Sequence, residues 1–211
     1  MLAEPSCCSA RRTRSSTVAL DGVVLNVLII DEMSRLIPAS KSGAVVSSMS
    51  VVLAALAAAV DGLLAGASLD QSIKQLPARH RIGVRAFSAY SRASDQANGV
   101  VWYAALGVGG AVLTLAAAAT AVSRGASNHE RQPLLLAGLL SVAHSLTTAR
   151  AAPINFSQAA VGDDERALQD IFDSFERWQT MRASLQLATF LAMLWALAAA
   201  SASTSSRNRS R

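Results

Sequence analysis

Charge is scarce in this sequence. Only 16% of its 211 residues are charged, against about a quarter in a soluble domain, and they cluster, leaving long stretches with none. That excludes an ordinary soluble composition. Aromatic residues are scarce too, at 5%, so the apolar mass is mainly Ala, Leu and Val, small side chains that suit close helix approach within lipid. Cysteine is confined to the adjacent pair Cys7 and Cys8. Neighbouring cysteines rarely bridge each other, and two do not make a metal site. The three histidines lie far apart with no His-x-x-x-His pair, so no metal site is expected. A Gly-x-Ser-x-Gly elbow and a phosphate-cradling Gly-x-x-x-x-Gly-Lys loop are both missing, and no cofactor is expected. Net charge is +5 and the pI near 10, but the basic residues sit in tails and connections with no compact basic, aromatic-interleaved stripe. Nucleic acid is therefore not an expected partner.

What is present is four long uncharged runs. They cover Ser42 to Val60, Gln96 to Ser123, Gln132 to Ala149 and Ala183 to Ser206. A spanning helix needs about 20 mostly apolar residues, so the runs predict spans near 44–66, 99–123, 133–150 and 183–202. The expected fold is all-α, a four-helix transmembrane bundle in a multi-pass membrane protein whose partner is the lipid bilayer. Residues 1–40 read as a disordered tail: the apolar stretch from Gly22 to Ile30 is too short to span. Met33, followed by Ser34-Arg35-Leu36, looks like a start before a first membrane helix, with the upstream part a gene-model extension. Residues 41–203 form the membrane domain, and 204–211 a basic C-terminal tail.

Two connections carry apolar stripes. Residues 78–98 set Ile82, Phe87 and Tyr90 among arginines. Residues 163–182 place Leu168, Ile171, Phe172, Phe175 and Trp178 at spacings of three and four, a helical stripe. Asp163-Asp164-Glu165 opens the second with acids, as a helix N-terminus favours. Both segments are expected to be amphipathic helices running on into the second and fourth spans, so that two helices extend beyond the membrane on one face. Pro153 is expected to close the third span. Lys and Arg divide ten against nine between the two sides, so the positive-inside rule gives no orientation.

Alternating spans bring one set of ends together, and the informative polar residues gather there. Asp61 ends the first run; Asp95 and Asn98 precede the second; His144 and Arg150 lie late in the third; Arg182 opens the fourth; Asn155 and Trp178 flank them. A carboxylate within the membrane is costly and turns inward to find a partner, and the expected partner is Arg150, Arg182 or His144. Asp61 and His144 are the candidate catalytic residues, as bases. Asn98, Arg150, Asn155, Trp178 and Arg182 are the candidate binding residues. Gly62 and Gly66 form a small-xxx-small pair that lets another helix come close.

Three segments resemble a known family. These are Gly66-Ala-Ser-Leu-Asp-Gln-Ser-Ile-Lys-Gln-Leu-Pro77, then Arg150-Ala-Ala-Pro-Ile-Asn155, and Phe175-Glu-Arg-Trp178-Gln-Thr-Met-Arg182 entering an apolar helix. They resemble the anthrone oxygenase-like membrane proteins (domain of unknown function 1772), a likeness covering roughly residues 44–200. The resemblance implies four spans and, for a few members, oxidation of polycyclic anthrones without a recognised metal or flavin. Members often carry a histidine between the Trp and the Arg, where this chain has Gln179, Thr180 and Met181. Three readings of function result. The first is a non-catalytic membrane component whose polar cluster fastens helices. The second is a cofactor-independent oxygenase acting on a lipophilic polycyclic or quinone-like molecule, with Asp61 or His144 as base and Arg150 or Arg182 stabilising the enolate. The third is a small-solute carrier, which would be expected to show broken helices and repeats.

Overall fold

The computed structural model describes residues 43–209, with side-chain surroundings for 49–203; the expected N-terminal tail and the Met33 start lie outside the described residues. Every described element is a helix. In chain order they are α1 (Gly43–Asp70), a π-helical turn (Gln71–Gln75), α2 (Leu76–Ile82), α3 (Val84–Ala93), a second π-helical turn (Ser94–Asn98), α4 (Gly99–Ser123), α5 (Asn128–Val161) and α6 (Glu165–Arg209). The π turns join their neighbours without a break, so the chain makes four long rods. α1 packs against α4 and α6, and α5 against the same two. Each rod thus touches its chain neighbours, and the last closes on the first.

Four helices of 34, 40, 34 and 39 residues are long and apolar enough to cross a membrane. At 1.5 Å per residue they measure about 50–60 Å, well beyond a hydrocarbon layer of about 30 Å. The extension expected of two helices is therefore shared by all four. α2 prolongs the first rod and α5 runs eleven residues past Arg150 to Val161. Pro153 does not close the third helix but sits within it. Residues 78–98 are not one helix either: Gly83, at φ +86°, separates α2 from α3, a backbone state that glycine adopts without Cβ strain. At the start of α6 the expected acidic cap is found, with Asp164 Oδ1 accepting from the backbone N–H of Arg166 and Ala167 at 3.1 Å each. This satisfies two donors left open by the helix start.

The interior is layered. At one end Ala54, Ala57, Ala58, Ala117, Ala118, Ala121, Leu134, Ala137, Ala192, Met193 and Ala196 form a small-residue core, and outward from it Val52, Leu56, Leu63, Val108, Leu139 and Leu191 are exposed. An apolar exterior around a closely packed interior is the arrangement lipid requires. At the other end Leu76, Phe87, Ala151, Leu168, Phe172 and Phe175 form an aromatic core, with the Phe87 and Phe172 rings edge to face at 4.9 Å. The stripe on α6 thus meets α3, as two same-side connections should. Between the two cores lies a layer of buried polar side chains.

Candidate functional site

Asp61 turns inward, as burial of a charge demands, and is 1% exposed. Its carboxylate meets no cation: among the described residues no ion pair involves it. Thr114 Oγ1 donates to Oδ2 at 2.7 Å, and Gln186 Nε2 donates to Oδ1 at 3.1 Å and to the backbone carbonyl at 3.3 Å. One side chain therefore links α1, α4 and α6. Gly110 makes the arrangement possible, since a Cβ there would lie 2.6 Å from Asp61 Oδ1. Gly62 allows a second close approach, because a Cβ at this position would come 2.9 Å from the Phe190 ring. Gly66 has no such neighbour.

His144 is buried on α5, where Nδ1 lies 3.3 Å from the backbone carbonyl of Arg182. A carbonyl can only accept, so this contact places a proton on Nδ1. Nε2 lies 3.4 Å from Thr148 Oγ1. The structure thus brings His144 to the Arg182 backbone, while the Arg182 side chain turns toward the second rod, where its charge acts on Asp95 and Tyr103. Asn155 is buried: its backbone carbonyl accepts from Gln96 at 2.7 Å and its Oδ1 from Gln158 at 2.9 Å. Trp178 packs half-buried against the aromatic core. Asn98 and Arg150 are exposed and stand outside the polar layer. No group of three His, Cys, Asp or Glu placed to hold a metal occurs among the described residues.

Other residues complete the layer. Gln158 Oε1 accepts from Ser88 at 2.9 Å, and its Nε2 donates to Ser91 at 3.3 Å. Gln71 Nε2 donates to Asp95 Oδ2 at 3.1 Å, which joins the two π turns. Gln179 Nε2 donates to the Ser68 carbonyl at 3.3 Å. Five glutamines, Gln71, Gln96, Gln158, Gln179 and Gln186, therefore reach across between rods. A signal for two of them exists in the sequence: Phe172, Gln179, Gln186 and Met193 recur every seven residues and all are buried, the seam of a left-handed bundle. Below the layer, the buried guanidinium of Arg79 spans Asp173 and Glu176 at 2.6 and 2.7 Å, tying α2 to α6.

Fold and site together define a multi-pass, four-helix membrane bundle with an internal polar layer. Comparison with family models, curated proteins and solved structures finds no match to this chain.

Proposed function

We propose that this is a non-catalytic membrane component in which most of the polar layer serves to fasten the four helices. One observation carries the reading: both oxygens of the Asp61 carboxylate are engaged by neutral donors from two other helices, so the group ties helices and is not held out to a substrate or an ion. Within lipid the apolar surfaces of helices gain little from meeting each other, and hydrogen bonds and close packing decide the partners. A reciprocal exchange tests this. Asp61→Asn faces an amide N–H with the Gln186 N–H and lowers thermal stability in detergent. Adding Gln186→Glu restores an acceptor opposite that amide and recovers stability. Failure of the second change to recover what the first loses would remove the fastening role.

A second reading rests on the resemblance to anthrone oxygenase-like proteins and on the buried position of His144 beside the Arg182 backbone. In it, the bundle admits a lipophilic polycyclic or quinone-like molecule, His144 takes a proton from an activated C–H, and the Arg182 guanidinium stabilises the enolate. A conjugated lipophile that co-purifies with the wild-type protein and is lost from His144→Ala favours this reading over the first.

A further inference from the structure

In one part of the polar layer, buried atoms remain that no neighbouring helix engages. Ser68 Oγ, Gln71 Oε1, Gln179 Oε1 and Arg182 Nε are all closed off from solvent without a hydrogen-bond partner. These residues are not scattered. Ser68 and Gln71 are three apart on the first rod, Gln179 and Arg182 three apart on α6, and Gln179 reaches Ser68 directly. Helical side chains lean toward the N-terminus of their own helix. In antiparallel rods that leads Gln71 back toward the Ser68 level and Arg182 back toward the Gln179 level, so the two pairs converge. Each buried polar atom left unpaired costs about as much as a lost hydrogen bond, and four in one place is a concentrated cost.

The backbone points to the same place. Gln71 begins one π-helical turn, Asp95 lies in the other, and the two side chains bond to each other. π turns inside α-helices are rare and occur mostly at functional sites. Two on adjacent rods, meeting at the level where the outward face changes from apolar to charged, form a second and independent mark.

We propose that Ser68, Gln71, Gln179 and Arg182 form an internal binding site for the neutral, hydrogen-bond-donating head of a lipophile, a hydroxyl or a carboxamide. The chemistry follows from the atoms on offer. Two amide carbonyls accept, one guanidinium N–H donates, and the serine hydroxyl does either, so the complement must donate to the carbonyls and can also accept. A cation meets the Arg182 guanidinium; an anion meets the two amide carbonyls. The apolar tail has the surrounding lipid as its route in. This site lies apart from the Asp61 fastening, and the two ideas stand or fall separately.

The test uses the whole protein in lipid nanodiscs, with 1-decanol, decanamide, decanoate and decylammonium as chain-matched probes and thermal unfolding as the readout. The alcohol and the amide raise Tm, by about 3–6 °C at ten times Kd, while the two ions do not. Gln179→Met, close to isosteric, removes an unpaired buried carbonyl together with the Nε2 bond to the Ser68 carbonyl, and it abolishes the rise with alcohol. Ser68→Ala, the smallest change available, weakens the response with the fold intact. Equal shifts from all four probes, or an alcohol shift that survives Gln179→Met, would overturn the proposal. So would a Ser68→Ala protein that responds to the alcohol as fully as wild type does.

Discussion

At the scale of single residues the interior is governed by what a buried carboxylate requires. Among the described residues Asp61 has no cation in contact, so its stability rests on the Thr114 hydroxyl and the Gln186 amide. Thr114→Val keeps the shape and deletes one donor, and is expected to cost about 1–3 kcal/mol, seen as a lower Tm in detergent. Gly110→Ala is expected to do comparable harm for a different reason, because its methyl would occupy the space of Asp61 Oδ1. The neighbouring Gly109→Ala, with nothing within 4 Å of the added Cβ, is the matched control and should leave the melting curve unmoved. Arg79 poses the inverse problem, a buried cation held by two partly exposed acids. Either Asp173→Asn or Glu176→Gln alone leaves it one partner. The double change strands the charge, and its loss of Tm should exceed the sum of the single losses, since a buried charge without a partner costs far more than a weakened pair.

At the scale of elements, two kinds of packing share each rod. The alanine-rich end relies on close approach in lipid, whereas the aromatic end lies past the span, where water makes apolar burial favourable. Phe175→Ala should therefore cost about 3–5 kcal/mol, read as a clear fall in Tm, while Ile82→Ala, more than half exposed, should stay within about 0.5 kcal/mol. The helical stripe from Leu168 to Trp178 was readable in advance because apolar residues at spacings of three and four have one cheap arrangement, and Phe172 and Phe175 occupy it. Pro153 misled for a physical reason. A proline removes one N–H and strains one turn, but packing on both sides holds α5 together through it. Gly83 and the π turns were not legible, because one glycine in a helical stretch, or an extra residue in one turn, leaves almost no trace in apolar periodicity.

At the scale of the whole molecule, the four spans were legible because lipid forbids charge over about 20 residues, and no packing detail can override that. The common end of the polar residues was legible too, since alternation alone supplies it. Which of them would meet was not. Topology brought Asn98 and Arg150 to the right end of the bundle, but the turn of each helix about its axis leaves both outside. Of the glutamines that take their place, only Gln179 and Gln186 lie on a seven-residue seam; the others resemble ordinary polar residues. Four crossings are what make the polar layer an interior. Single cysteines at Arg81, Ser127 and Asp163, in a chain whose Cys7 and Cys8 are changed to serine, test this most directly, with a membrane-impermeant maleimide applied to sealed vesicles. The four-span bundle predicts that Arg81→Cys and Asp163→Cys label together from one side, and that Ser127→Cys labels only from the other. Labelling of all three from the same side, or of Arg81→Cys and Asp163→Cys from opposite sides, would contradict it.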